Sequence, residues 1–75
     1  MGELLIRDKS GHTEFTLTWN SNEPHTLISA GETFEIYRQK GWLPIGKCAS
    51  GQWKQIFTFD PKLHQIIFMP LMEGG

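Results

Sequence analysis

Apolar and polar residues alternate along several short stretches of the chain, and turn-forming residues separate these stretches. The clearest alternation lies in Thr13–Trp19, where Phe15, Leu17 and Trp19 are separated by threonines. A period of two is typical of a strand with one buried and one solvent-facing side. This stretch is therefore predicted to form a half-buried β-strand.

Further strands are predicted for residues 4–7, 33–38, 42–48, 53–59 and 66–71. Turns containing Gly, Asn or Pro separate them, and strands spaced about ten residues apart with such turns are typical of small barrels and sandwiches. We therefore predict an all-β fold, a small antiparallel barrel of five or six strands that is SH3-like. A single domain would occupy residues 1–75.

The centre of the predicted fold is a hairpin over residues 33–47. Lys40 and Gly41 would form its two-residue loop, because Gly suits the primed turns that hairpins prefer. One face would then carry the core residues Phe34, Ile36, Leu43 and Ile45, and the other face Tyr37, Trp42 and Pro44. A helix over residues 30–40 is disfavoured, since a Gly and several β-branched or aromatic residues occupy it.

The register of the strand at residues 53–59 has two solutions. A three-residue loop at residues 50–52 would pair Ile45 with Phe57 and bury Phe57 and Phe59. A two-residue loop would pair Ile45 with Ile56 and turn both phenylalanines to the Trp42 face, because a slip of one residue inverts a strand. The first solution is preferred because it buries more apolar surface.

Size and charge narrow the range of functions. The chain has 75 residues, with seven basic and eight acidic residues and a net charge of -1. A domain of this size needs most of its large apolar residues for its core, which disfavours an enzyme with a pocket of about 300 Å³ or more. The absence of a basic excess disfavours a duplex nucleic-acid binder.

Cysteine and apolar content indicate the compartment. The single Cys48 cannot form an internal disulfide, which fits a reducing, cytoplasmic setting. The sequence contains neither a signal-peptide pattern nor about 18 consecutive apolar residues, so no membrane association is predicted.

Residues that could support catalysis or metal binding are few and scattered. His12, His25, His64 and Cys48 are the only soft metal ligands, and none has the spacing of a known metal motif. No serine or cysteine nucleophile lies in a catalytic motif. We therefore predict a protein that is not an enzyme and that holds no metal or cofactor.

The predicted outer face of the hairpin is the candidate binding surface. Tyr37, Trp42 and Pro44 would form a rigid aromatic contact area, with Arg38 and Lys40 at its rim. Such a surface fits a protein partner or, as an alternative, the stacked bases of single-stranded nucleic acid. Equally, these rings could cover the end of the barrel. The leading expectation is a non-enzymatic, protein-binding module.

The last residues suggest a second class of function. Residues 65–75 form an apolar stretch followed by Glu73-Gly74-Gly75, and this segment is similar to the tails of ubiquitin-like sulfur carriers. The opening hairpin also looks like the start of the β-grasp fold of those proteins. That fold requires a helix after the hairpin, where strand-type alternation is found instead. The resemblance implies a carrier that acts through Gly74 and Gly75.

A further resemblance is centred on residues 31–44. Their pattern, Gly-Glu-Thr-Phe-Glu-Ile-Tyr followed after a short turn by Trp-Leu-Pro, resembles the central motif of a small bacterial domain family of unassigned function. That family occurs on plasmids, phages and conjugative elements. Trp53 matches its later Trp, whereas Lys54 stands where an aromatic residue is usual. The resemblance implies a small barrel encoded by a mobile element that modulates a host complex.

Overall fold

A computed structural model describes residues 1–70 as five strands and one helix, and residues 71–75 lie outside the described part. The elements in chain order are β1 (Gly2–Arg7), β2 (Thr13–Trp19), α1 (Pro24–Gln39), β3 (Leu43–Lys47), β4 (Trp53–Gln55) and β5 (Gln65–Met69). The strands form a single sheet, and α1 packs against it. The prediction of a small, β-rich domain is confirmed.

The sheet has the order β2-β1-β5-β3-β4. β1 pairs with β5 in parallel, and the other neighbours are antiparallel. The prediction of a closed, purely antiparallel barrel is therefore wrong. The physical reason is that α1 covers one face of an open sheet, so the strands need not close on themselves to bury that face.

Residues 33–38 belong to α1, so the predicted hairpin over residues 33–47 is wrong. Leu27, Ala30, Phe34 and Tyr37 follow one another at intervals of three, four and three residues, which aligns them on one helix face. Phe34 is buried, whereas Ile36 is 54% exposed, since neighbours two apart point about 200° apart on a helix. The alternation of Phe34 and Ile36 had suggested a strand.

The Lys40-Gly41 pair ends this helix instead of forming a hairpin loop. Gly41 has a left-handed φ of +84°, and its N–H donates to the carbonyl oxygen of Arg38 at 3.0 Å. The N–H of Trp42 donates to the carbonyl oxygen of Tyr37 at 3.2 Å. These two bonds make a Schellman motif, in which glycine adopts a conformation strained for other residues.

Replacing this glycine tests the helix end. Gly41→Ala is expected to lower the free energy of unfolding by about 1 kcal/mol, because L-residues are strained at positive φ. No atom lies within 4 Å of the added Cβ, so backbone strain alone sets the effect. Gly31→Ala is the matched control within α1: its Cβ would meet Phe59 at an ordinary 3.7 Å. That variant should gain stability by about 0.5 kcal/mol or more through helix propensity. Urea unfolding measures both, and equal effects would contradict the assignment.

The core lies between α1 and the inner face of the sheet. Trp19, Phe34 and Phe68 are its largest fully buried side chains. The rings of Phe34 and Phe68 meet edge to face at 5.0 Å, and Trp19 meets Phe59 at 5.1 Å. The other fully buried members are smaller: Leu4, Ile6, Ala30 and Ile66.

The strand predicted at residues 53–59 is shorter than expected, and neither predicted register is found. β4 spans only Trp53–Gln55, and Ile45 pairs with Gln55. Ile56 turns into the core, whereas Phe57 is 71% exposed. The longer loop between β3 and β4 shifts the pairing by two residues from the preferred register. Residues 56–64 form no strand, and Ile56 and Leu63 in this segment are buried in the core.

Candidate functional site

One end of the sheet brings together the ends of several elements. β1 and β5 run in parallel, with Ile6 beside Phe68, so both finish at this end. β3 begins there, because Leu43 pairs with Met69 in antiparallel register. α1 also ends nearby and connects to β3 through Gly41 and Trp42. The chain therefore leaves the sheet at Pro70, between the end of β1 and the start of β3.

Three of the predicted binding residues lie together at this end. The rings of Tyr37 and Trp42 meet at 5.0 Å, and the ammonium of Lys40 lies 4.7 Å from the centre of the Tyr37 ring. Both rings are half-buried and pack against the core, since Tyr37 also approaches Phe68 at 5.8 Å. This aromatic pair is the hydrophobic contact that accompanies a Schellman motif, so it has a structural role.

The other two predicted binding residues are placed differently. Pro44 is buried and pairs with Phe68 across the sheet, so it lies on the inner face. Arg38 lies on the exposed side of α1, where its guanidinium donates to the carboxylate of Glu35. This pairing lowers the pKa of Glu35 and raises that of Arg38, chiefly through the hydrogen bond between them.

The turn between β1 and β2 lies at the same end of the sheet, next to Met69 and Pro70. A single carboxylate oxygen of Asp8 accepts hydrogen bonds from the backbone N–H groups of Ser10 and His12 and from the Ser10 hydroxyl, at 2.7 to 2.9 Å. These bonds, the hydroxyl of Ser10 foremost, lower the pKa of Asp8. The carboxylate therefore stays ionised in the turn and closes it.

A cavity of about 210 Å³ lies between this turn and the end of β5. Its walls are formed by Arg7, Asp8, Lys9, Gly11, Met69 and Pro70. Two cations thus line the place from which the chain leaves the sheet. Sequence reasoning did not identify Arg7 or Lys9, because only the parallel pairing of β1 with β5 brings them beside Pro70.

The three histidines and Cys48, which are the soft ligand types of the sequence, do not lie together. His12, His25 and His64 are exposed, and Cys48 is a half-buried free thiol. Within residues 1–70, no three His, Cys, Asp or Glu side chains are close enough together to hold a metal ion.

The same part of the chain contains no helix that is both long and apolar enough to cross a membrane. Gly74 and Gly75, the alternative carrier site, lie outside the described residues.

Comparison of this chain with protein-family models, with curated proteins and with solved structures finds no significant match. The resemblance of residues 31–44 to a family of mobile elements therefore stays a prediction. Function has to be argued from the geometry of the fold and of the end of the sheet.

Proposed function

We propose that the chain is a ubiquitin-like carrier protein that is activated at the carboxylate of Gly75. The observation that carries this proposal is α1. A hairpin, a helix across one sheet face and three further strands in the order β2-β1-β5-β3-β4 correspond to the β-grasp arrangement of ubiquitin-like proteins. The sequence disfavoured this class because strand-type alternation was found where the β-grasp fold requires a helix. α1 occupies that position.

A fold alone does not define an activity, so the second support is the sequence that follows β5. Gly74 and Gly75 carry no side chains, which allows such a segment to enter a narrow channel of an activating enzyme. The proposal requires a free carboxylate at Gly75, whether the chain ends there or a protease exposes it.

The chemistry proposed for this carboxylate proceeds in two steps. Its oxygen attacks the α-phosphorus of ATP and pyrophosphate leaves, which forms an acyl adenylate. A sulfur nucleophile then attacks the carbonyl carbon and AMP leaves. An enzyme persulfide as the nucleophile forms an acyl disulfide, and a second enzyme thiol then cleaves its S–S bond, which leaves an enzyme disulfide and a thiocarboxylate at Gly75. An enzyme thiol as the nucleophile forms a thioester, and attack by a lysine amine expels that thiol and leaves an isopeptide.

The fold supports this role by anchoring the reactive segment. β5 pairs with β1 on one side and with β3 on the other, so it is the central strand of the sheet. Ile66 and Phe68 on this strand are fully buried. A partner that binds the residues after Pro70 therefore acts on a segment attached to the central strand of the sheet.

The test is intact-mass and peptide mass spectrometry after incubation of the protein with ATP and a cytosolic extract of the organism that makes it. The expected result is an ATP-dependent thiocarboxylate or isopeptide adduct at Gly75. The control variant lacks Gly74 and Gly75 and should remain unmodified. It should unfold at the same urea concentration as the full chain, since residues 1–70 supply all the described core contacts.

An unmodified Gly75 in an extract that retains ATP, together with unchanged biological activity of the shortened variant, would contradict the carrier proposal. That outcome would favour a non-enzymatic interaction module of a mobile element, which stays a prediction. The observation on its side is that Tyr37, Trp42 and Lys40 lie together at one end of the domain. Binding of single-stranded nucleic acid likewise stays a prediction.

A further inference from the structure

Arg7 has a hydrogen-bond donor that nothing in the described part of the chain satisfies. Its Nε atom is shielded from solvent and finds no acceptor among residues 1–70. Buried donors in folded proteins are paired in the large majority of cases, so an unpaired one calls for a ligand or another explanation. This donor belongs to the positively charged guanidinium of an arginine side chain.

No neighbouring carboxylate in the described structure neutralises this cation. Asp8 is adjacent in sequence, but one of its oxygens already closes the turn through three hydrogen bonds. Among residues 1–70 the carboxylate of Glu35 pairs with Arg38, and the carboxylate of Glu23 lies 3.7 Å from the imidazole of His25. Arg7 and the exposed Lys9 therefore form no ion pair within residues 1–70, and together with the ionised Asp8 they give the cavity wall a net charge of +1, from two cations and one carboxylate.

Both cations line the cavity of about 210 Å³ beside Pro70. A water molecule in the liquid takes up about 30 Å³, so the cavity has room for the carboxylate end of an acidic side chain and several waters. Gly11 forms part of the wall and adds no side chain that would block entry. The guanidinium of arginine matches a carboxylate with two parallel hydrogen bonds.

From this geometry we propose that Arg7 and Lys9 bind an aspartate or glutamate side chain of the protein partner that acts on the segment after Pro70. The inference rests on the proposed carrier function, because that function requires a partner to approach this end of the sheet. The occupant is identified by charge complementarity, since the two cations outnumber the one carboxylate of Asp8 on the cavity wall. Because the Nε atom of Arg7 is shielded, a carboxylate would bind the terminal nitrogens of the guanidinium. Lys9 would contribute mainly electrostatic attraction, whereas the guanidinium of Arg7 would orient the carboxylate through hydrogen bonds.

The test uses a short acidic probe and needs neither ATP nor Gly75. The capped peptide Gly-Glu-Glu-Gly is titrated into the full chain while the Nε–H signal of Arg7 is followed by NMR. The expected result is a saturable shift of that signal, and the isosteric peptide Gly-Gln-Gln-Gly should leave it in place. Raising ionic strength from about 0.01 M to about 0.15 M shortens the Debye length from about 30 Å to about 8 Å and should weaken binding.

Substitutions of Arg7 and Lys9 measure how much each cation contributes to the affinity for the acidic peptide. Arg7→Gln should lower the affinity for the acidic peptide by at least about tenfold, because it removes the charge-assisted hydrogen bonds. Lys9→Gln is a second variant on an exposed turn, where folding is not at risk, and should lower affinity by a smaller factor. Lys54→Gln, an exposed lysine on β4 at the far edge of the sheet, is the matched control and should leave affinity unchanged.

Several outcomes would overturn the proposal. Equal binding of the glutamine peptide, or binding that survives both Arg7→Gln and Lys9→Gln, would do so. A shift caused by inorganic phosphate but not by the peptide would assign the cavity to small anions. The same shift caused by Glu73→Gln without peptide would assign it to the chain's own carboxylate. Failure of Gly75 modification would leave the peptide titration unaffected, so the two proposals fail separately.

Discussion

Phe68→Ala is expected to lower the free energy of unfolding by about 4 kcal/mol. Phe68 is 0% exposed on the central strand, and its ring contacts Phe34 at 5.0 Å and Tyr37 at 5.8 Å. Truncation therefore leaves a cavity between the sheet and α1 that neighbouring rings cannot fill without moving the backbone. A domain of this length has a total stability of about 4 to 11 kcal/mol, at about 0.05 to 0.15 kcal/mol per residue.

The variant should consequently retain about 0 to 7 kcal/mol of stability, and at the lower end of this range about half of the molecules are unfolded at room temperature. Near-ultraviolet circular dichroism and urea unfolding measure this loss. Phe57→Ala is the matched control, because Phe57 is 71% exposed and its removal should change stability by less than about 0.5 kcal/mol. If the two variants lost similar stability, the division of the phenylalanines between core and surface would be incorrect.

Gly2→Ala is the second substitution with a large expected effect, a loss of about 2 to 3 kcal/mol. A Cβ at Gly2 would lie 2.0 to 2.7 Å from three carbon atoms of the Trp19 indole, far inside any real contact. The indole of Trp19 cannot move away from the added methyl group. It is 1% exposed, meets Phe59 edge to face and donates its Nε1–H to the carbonyl oxygen of Pro61 at 3.0 Å.

A double-mutant cycle with Trp19→Leu isolates this clash. The smaller side chain makes room for the added methyl group, so Gly2→Ala should cost at least about 1 kcal/mol less in the Trp19→Leu background than in the native chain. Thermal or urea unfolding of the four proteins provides the values. Strictly additive losses would show that the effect of Gly2→Ala comes from the strand backbone and does not involve the indole.

The position of the candidate site follows from the same sheet order that places Phe68 at the centre. Because β5 lies between β1 and β3, Pro70 at its end lines the same cavity as Arg7 and Lys9, and Met69 pairs with Leu43 on the other side. Stability and proposed function therefore share one strand: the buried side chains of β5 hold the segment on which a partner is proposed to act.

Some of this organisation could be predicted from local sequence. Thr13–Trp19 forms a strand with the predicted bounds, and a turn at Gly11 joins it to β1. Alternation in this stretch is a local signal, because the period of a strand alone decides on which of its two faces each side chain lies. The small fold rich in β-structure was also predicted at this level, whereas the candidate site at Arg7 and Lys9 was not.

The helix at residues 24–39 was the point at which local reasoning failed. Strand-type residues such as Thr33, Phe34 and Ile36 have weak preferences, and tertiary packing of one helix face overrides them. The spacing of Leu27, Ala30, Phe34 and Tyr37 was the signal that could have identified it. Gly41 after this stretch fits a helix C-terminus as well as it fits a hairpin loop.

The sequence by itself determined the opening hairpin, the apolar last strand and the presence of a Gly-Gly segment after it. Only the tertiary structure decided that this last strand is central and runs parallel to β1. Parallel pairing joins residues about sixty positions apart, Leu4 with Ile66 for example, and leaves no periodic signal within either segment. That long-range contact places Arg7 and Lys9 beside Pro70 and so creates the candidate site.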